Sequence, residues 1–320
     1  MKKTINIFKY IFFRPHNIVI AKLKGGLGNQ LFIYCTARNL AFKNKAILFI
    51  DHTTGFVKDK KYQRESQLQK YVLYDQKDVI FLPKILSIII YLLIRINLNL
   101  KFLNIEYIKQ IDRKIENKLL VNNYKTSLYI DGLWQSYKYF QESKEILANE
   151  IYPRFTTKKL MSLKNKILNS EFNCAIHIRI FNKKNTKNLK NICNFINNAL
   201  KKFQDIEKFK FYIFSESKEI SFIIYNSNIK NINYELISKK HEQGAVGDLF
   251  LMSCCKNHII TNSTFGWWGA WLSKNKSKKI ICPSKLNGDI YGEGVWGFKD
   301  FIPKQWIQIA FTEKVTKNEK

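Results

Sequence analysis

The chain has 320 residues, of which 46% are hydrophobic and 14% aromatic, and carries a formal charge of +29. That apolar content excludes a disordered chain and suffices for two domains of ordinary size, each with its own core. The excess of Lys and Arg suits nucleic acid, yet no helix-turn-helix, zinc-finger or RNA-binding signature accompanies it, so no nucleic-acid partner is expected. Anionic membrane surfaces and phosphate-bearing small molecules remain as partners.

The N-terminal "MKKTINIFKYIFFRPHNIVIAKL" starts basic, but Lys9 and Arg14 interrupt its apolar run and no small-residue cleavage site follows, so a signal peptide is not expected. Asn17–Leu23 reads as a short apolar strand. It runs through the glycines of "KGGLGNQ" into a helix carrying Leu31, Tyr34, Cys35 and Ala41, and then into a strand at Ala46–Asp51. From Gln76 to Asn123 the pattern is helical and irregular. Within it "ILSIIIYLLI" (Ile85–Ile94), framed by Lys84 and Arg95, is too short to span a bilayer; it suits a buried helix or a helix lying on a membrane surface.

A second alternating unit begins near Phe172. "NCAIHIRI" reads as a strand, and Leu189, Ile192, Ile196, Leu200 and Phe203 follow at helical spacing before the strand "FKFYIFS". "DLFLMSCC" then reads as helix, "NHIITNS" as strand, "GWWGAWLSK" as helix and "KKIICP" as a last strand. Such alternation implies parallel sheets with right-handed crossovers, so we expect two α/β domains facing across a cleft, residues 17–165 and 166–310, with the hinge between Ser143 and Glu171. Cys35, Cys174, Cys193, Cys254, Cys255 and Cys282 show no C-x-x-C and no matching histidine spacing. A zinc site is therefore not expected, and a reducing cytoplasm suits them.

Three segments have residues suited to chemistry. The glycines of "GGLGNQ" (Gly25–Gln30), between strand and helix, let the backbone approach a ligand and aim amides at an anion, although the P-loop ending is missing and Leu31 stands where a dinucleotide loop needs a small residue; a mere tight turn is the alternative. In "HIRI", strand alternation puts His177 and Arg179 on one side, at the carboxyl end where open α/β sheets bind ligands. The planar guanidinium suits phosphate oxygens; a lone His is otherwise a satisfied core residue. Asn262, Ser263 and Thr264 bring hydroxyls, an amide and free N–H groups to the start of a helix, either as an anion site or as a simple cap, while Trp267, Trp268 and Trp271 pack that helix.

These segments, with "YIDGLWQSYKYF" (Tyr129–Phe140), occur in the order found in the α-1,2-fucosyltransferases of glycosyltransferase family 11, which the chain resembles from Ile18 to about Pro283 through "KGGLGNQLF", the Trp134-Gln135-Ser136 segment, "HIR" and "NSTFGWWGAWL". The resemblance implies a GT-B enzyme of two Rossmann-like domains, inverting and without a bound metal or cofactor. It would move L-fucose from GDP-fucose to the 2-hydroxyl of a terminal galactose in a surface glycan. No Asp-x-Asp is present to hold a metal on the diphosphate, so fixed donors must face the leaving β-phosphate. By the resemblance Arg179 is the main phosphate clamp with His177 beside it. Gly26, Gly28, Asn29, Asn262, Ser263, Thr264 and Phe265 line the donor, and Trp134, Gln135 and Ser136 the acceptor side.

The chain departs from the family pattern at His177-Ile178-Arg179-Ile180-Phe181-Asn182, where the second arginine and the acid are replaced by Ile180 and Asn182; Glu216 stands for the aspartate of "FSD" and Gly266 for a serine. A lost charge-assisted phosphate contact costs about 1.5–3 kcal/mol, or about tenfold to hundredfold in binding, unless Lys183 or Lys184 substitutes. Asp131, Glu216, Asp248 and His177 are the candidates for general base, with Asp131 taken as the catalytic carboxylate. A different nucleotide sugar, or a non-catalytic protein that binds glycans or polyanions, are the rival readings. The expected location is the cytoplasm at the inner face of the membrane, beside a galactose-terminated, lipid-linked acceptor, with basic residues and Ile85–Ile94 as the peripheral contact.

Overall fold

The computed structural model describes residues 18–60, 62–70, 78–95, 105–112, 114–120, 124–180, 186–238, 240–284 and 300–310. The chain divides into two units, Met1–Arg154 with Phe298–Phe301, and Phe155–Gly297 with Ile302–Lys320. Asn182, Lys183 and Lys184 lie outside the described residues, as does the basic N-terminal run.

In the first unit β1 (Ile18–Lys22), β2 (Ile47–Asp51), β3 (Val79–Phe81), β4 (Ile105–Lys109) and β5 (Ser127–Asp131) form a sheet in the order β3-β2-β1-β5-β4, and every pairing is parallel. Central β1 is buried along Ile18–Ala21, which is why its sequence is a continuous apolar run rather than an alternation. Helix α1 (Leu27–Lys43) follows the glycine loop and is buried almost throughout. Helix α2 (Lys84–Arg95) sets Leu86 and Ile90 against Ile18, Ile20, Phe49 and Tyr129. Two strands, β3 and β4, thus stand in the stretch that reads as irregular helix from sequence. Both are edge strands, whose few residues are held by one neighbour each and show no period of their own.

Polar side chains tie α1 to the end of the unit. Arg38 and Glu150 are buried; Arg38 Nη2 lies 2.9 Å from Glu150 Oε1, Tyr34 donates its hydroxyl to Glu150 Oε2 at 2.8 Å, and Asp78 completes the arginine's shell. Burial, then the Glu150 carboxylate, raises the Tyr34 phenol well above its ordinary pKa. Glu150 belongs to the short helix α3 (Lys144–Glu150), which is held again where Ser143 donates to Asn39 Oδ1 at 2.6 Å.

The second unit contains α4 (Lys158–Asn169), β6 (Asn173–His177), α5 (Thr186–Leu200), β7 (Lys210–Phe214), α6 (Ile220–Tyr225), β8 (Tyr234–Leu236), α7 (Gly244–Cys254), β9 (Asn257–Ile260), α8 (Thr264–Leu272), β10 (Ile280–Pro283) and β11 (Ile307–Ile309). Its sheet runs β11-β10-β9-β6-β7-β8, again parallel throughout. The division of the chain falls at Arg154–Phe155 rather than at 165–166, because α4 packs on α7 and so belongs whole to the second unit. Strand β6 ends at His177, short of the "HIRI" reading, so Arg179 lies beyond the strand.

Two predictions follow from buried charge. Glu150→Ala leaves the Arg38 guanidinium with Asp78 but without its fully buried partner, and is expected to lower stability by about 3–5 kcal/mol, read as a urea midpoint. His258, on central β9, is wholly buried; burial, with Lys278 adding to it and a backbone contact at Cys255 opposing, lowers its pKa to about 3. Below pH 6.5 the unfolded chain therefore binds a proton that the folded chain refuses. Its stability should fall by about 1.4 kcal/mol per pH unit on this group's account as pH drops from 6.5 toward 5, and His258→Gln should flatten that slope.

Candidate functional site

The second sheet runs outward from β6 through β7 to β8, then returns past β6 to β9 and runs outward again through β10 to β11. Strand order therefore reverses between β6 and β9, and the crevice beyond the carboxyl ends at such a reversal is where open α/β sheets bind ligands. The backbone there is fixed. Thr261 N–H donates to the His177 carbonyl at 3.1 Å, Ile178 N–H to the Phe214 carbonyl at 3.0 Å, and Arg179 N–H to Thr261 Oγ1 at 2.8 Å.

His177 is buried, with its ring 5.3 Å from that of Phe265 between centroids, and a Cβ added at Gly266 would lie 2.7 Å from its Nδ1. Burial, and next the charge of Arg179, lowers the imidazole to about 3, so it is neutral at physiological pH. Its Nδ1 and both amide atoms of Asn262 are buried without a hydrogen-bond partner among the described residues. Unpaired buried polar atoms are expensive and uncommon, and here three of them meet at the reversal point.

Helix α8 starts at the same place. Ser263 accepts Phe265 N–H at 3.2 Å and is the cap, which leaves Asn262, Thr264 and the first-turn amides to face an anion. The tryptophans are packing: Trp267 and Trp271 stack at 6.0 Å, Trp268 meets both edgewise at 5.0 Å, and Trp306 lies 5.4 Å from Trp267. At the far end Lys278 Nζ donates to the carbonyls of Ala270, Trp271 and Ser273 at 2.9, 3.2 and 2.6 Å, an ammonium on the negative end of the helix.

The sequence places His177 and Arg179 on one side; His177 is buried, and Arg179, beyond the end of the strand, is exposed yet near enough for its charge to act on the imidazole. The ladder stops at His177, but the alternation carries past it: Ile176, Ile178 and Ile180 all join the core with Leu189, Ile192 and Ile213. Asp248 is unsuited to the role of base. It is buried, accepting from Ser238 Oγ at 2.6 Å and lying 2.9 Å from His241 Nε2, while Ser238 Oγ accepts Ser215 N–H at 3.0 Å. Asp248 thereby holds the loop after β7, where Glu216 is exposed. Composition gave no sign of this His241–Asp248 pair.

In the first unit strand order reverses at β1, and the glycine loop follows that strand. Gly25 has φ +75°, open to glycine and costly for a side chain, and a Cβ there would also sit 2.6 Å from Asn29 Nδ2. Gly26 caps α1 with no side chain, and Gly28 is buried in the first turn. Gln30 anchors the loop, donating to the carbonyls of Gly25 at 2.9 Å and Glu65 at 3.0 Å and accepting from Gln67 N–H at 2.8 Å. Arg64, which the sequence did not single out, comes near the loop: its Nε lies 3.9 Å from where a Gly26 Cβ would be.

Asn29 Oδ1 accepts from Gln135 Nε2 at 2.7 Å, and Gln135 Oε1 and Trp134 Nε1 are buried and unpartnered among the described residues. Trp134 is fully buried with φ +50°, an unusual conformation for so bulky a residue. Ser136 donates to the Asp300 carbonyl at 3.1 Å. Asp131, at the end of β5, is bonded by Lys24 at 2.7 Å, Lys22 at 3.0 Å and the Tyr107 hydroxyl at 3.2 Å. Burial alone would raise its pKa, but the ammonium groups of Lys24 and Lys22 outweigh that and hold it below the ordinary carboxylate range. As a base it is weakened.

Among the described residues no group of three or more His, Cys, Asp or Glu side chains is arranged to hold a metal ion.

The family described as "Glycosyl transferase family 11" matches residues 18–309. The chain is 28% identical over 310 residues to an α-1,2-colitosyltransferase of Escherichia coli, covering 92% of this chain and 99% of that one, and 27% identical over 294 residues to the O-antigen biosynthesis glycosyltransferase WbnK of the same organism, covering 82% and 93%. Among solved structures, the NodZ α-1,6-fucosyltransferase soaked with GDP-fucose superimposes with a TM-score of 0.52 at 15% identity, over 80% of this chain and 92% of that one; NodZ comes from Bradyrhizobium. That likeness supports the GT-B-like α/β class, and the family match over nearly the whole described chain decides the rest: this protein is a glycosyltransferase belonging to family 11.

Proposed function

We propose that the protein moves L-fucose from GDP-fucose to the 2-hydroxyl of a terminal galactose, with inversion and without a metal ion. The observation that carries this reading is the set of buried atoms of His177 and Asn262, unpaired among the described residues, at the β6–β9 reversal beside the N-terminus of α8. A nucleoside diphosphate supplies what that place lacks: phosphate oxygens to accept from Asn262 Nδ2, the backbone amides and the hydroxyls, ribose hydroxyls or base N–H groups to donate to Asn262 Oδ1, and negative charge for the helix dipole. The structural relative was soaked with GDP-fucose, and a curated relative is named for an α-1,2 transfer.

In the reaction the acceptor oxygen bonds to the anomeric carbon as the bond to the β-phosphate oxygen breaks on the opposite face. Negative charge gathers on the departing diphosphate. Arg179 supplies permanent positive charge there, the α8 amides and Asn262 supply fixed dipoles, and neutral His177 supplies hydrogen bonding without charge. The proton of the acceptor hydroxyl goes to a carboxylate or to water. Asp248 is committed to His241 and Ser238, which leaves exposed Glu216 and the weakened Asp131. A loose, oxocarbenium-like transition state asks little of its base, because the proton departs late.

A second reading has support from the colitosyltransferase relative: GDP-colitose as donor. Colitose is fucose without its 3-hydroxyl, so a pocket that binds this hydroxyl rejects colitose strongly, whereas an apolar pocket tolerates both sugars.

The deciding experiment gives purified protein GDP-fucose or GDP-colitose with galactose-terminated oligosaccharides in excess EDTA, reading the linkage by NMR. Fucose on galactose O2 is expected; transfer from GDP-colitose alone moves the donor assignment, and a folded protein that consumes neither sugar and does not bind GDP is non-catalytic. Arg179→Ala and Asn262→Ala should each lower kcat/KM by about tenfold to hundredfold, with Arg179→Lys recovering part of the loss because it keeps the charge but not the planar fork.

A further inference from the structure

Helix α2 has two apolar faces. Leu86 and Ile90, each 2% exposed, pack into the core with Leu93 and Ile94, whereas Ile85, Ile88, Ile89 and Leu92 are 71%, 37%, 40% and 51% exposed. The outer four fall at i, i+3, i+4 and i+7, one contiguous stripe on the side of the helix where a surface helix normally carries charge. Elsewhere among the described residues, exposed large apolar side chains such as Val57 and Ile111 stand singly, and only Phe222 and Tyr225 share a helix face, as a pair rather than a stripe. A stripe of this kind calls for a covering surface.

We infer that the outer face of α2 lies in the interfacial layer of an anionic bilayer and docks the protein there peripherally. Twelve residues make a helix of about 18 Å, against a hydrocarbon core of about 30 Å, so the helix can lie in the surface but cannot cross it. No helix among the described residues is long and apolar enough to span. Charge selects the occupant. The sequence from Lys84 to Asn104 contains Lys84, Arg95 and Lys101 and no acidic residue, within a chain of net charge +29. A second copy would bring the same positive charge against it; an anionic leaflet brings the opposite one. Apolar insertion and basic flanks are the two components of peripheral binding, each weak alone.

The placement has a consequence for the site. Lys22 Nζ lies 4.9 Å from the centroid of the Tyr91 ring on α2, and Lys22 is one of the ammoniums that hold Asp131 at the carboxyl edge of the first sheet. Docking through α2 therefore keeps that edge close to headgroup level, where an acceptor carried on a lipid is presented. The docking itself does not depend on which sugar is transferred.

The test is co-sedimentation of the full chain with vesicles of mixed phosphatidylglycerol and phosphatidylcholine, and with phosphatidylcholine alone. The wild type is expected to bind the anionic vesicles and to keep part of that binding in about 1 M NaCl, where the Debye length is about 3 Å. Ile88→Glu/Leu92→Glu should lower the bound fraction about tenfold or more, since each side chain gives up its apolar transfer into lipid. Both positions are exposed, and an unchanged near-UV CD spectrum confirms the fold; if it changes, Ile88→Ser/Leu92→Ser takes its place. The inference fails if the wild type stays in the supernatant, if the variant binds as the wild type does, or if lipid-free sedimentation equilibrium shows a dimer that the variant dissolves.

Discussion

A parallel sheet covered on both faces leaves polar side chains no place except the strand ends. In the second unit this constraint collects polar groups at one edge, because β6 is buried throughout and β9 from His258 onward, and the order of strands reverses between them. The carbonyl of His177, the hydroxyl of Thr261 and the amide of Arg179 form one backbone lattice. That lattice allows His177 Nδ1 and the Asn262 amide to be held without partners among the described residues. Each orphaned atom opposes folding, and only a surrounding structure that over-determines its position can keep it there. What the fold bears as a local cost, a bound diphosphate would recover as hydrogen bonds already aimed.

The buried polar groups separate into those that hold and those left open. Glu150 is committed to Arg38 and Tyr34, Asp248 to His241 and Ser238, and Gln30 uses both ends of its amide on backbone. These residues position segments. His177, Asn262 and Gln135 Oε1 are polar, buried and unsatisfied among the described residues, and each stands where a loop leaves a strand end. Asp131 lies between the two sets, since Lys22 and Lys24 keep it ionised and leave the cluster with net positive charge.

How far the sequence could be read follows from which forces were local. Strand, loop and helix at Asn257–Leu272 could be read because apolar runs, a serine cap and a helical stretch lie next to one another in sequence. The edge strands β3, β4, β8 and β11 could not, because three to five residues held by one neighbour carry no signature of their own. The glycine loop was visible, but not the Arg64 that approaches it from the far side of β2 in sequence. Asp248 looks like a free carboxylate until His241 and Ser238 are seen to hold it, and the unequal burial of His177 and Arg179 is hidden until the strand is seen to stop between them.

The departure at Ile180 illustrates why a motif position is not a contact. Read as a list, His177-Ile178-Arg179-Ile180 has lost one phosphate-binding arginine. In the fold Ile178 and Ile180 are both anchored in the core beneath α5, and that anchoring sets the path of the chain after β6, with Arg179 left exposed. A guanidinium at position 180 would have to enter an apolar core, at a heavy cost for an unpaired charge, or pull the segment out of it and move Arg179 as well. Restoring the arginine alone therefore would not restore the contact, and on the proposed reading the demand for positive charge at a diphosphate would rest more heavily on Arg179 and the amides of α8. Gly266 acts in the same direction. Without a side chain there, the neutral ring of His177 lies against the first turn of the helix, and on the proposed reading the donors that would face the anion come from backbone and amide rather than from a second cation.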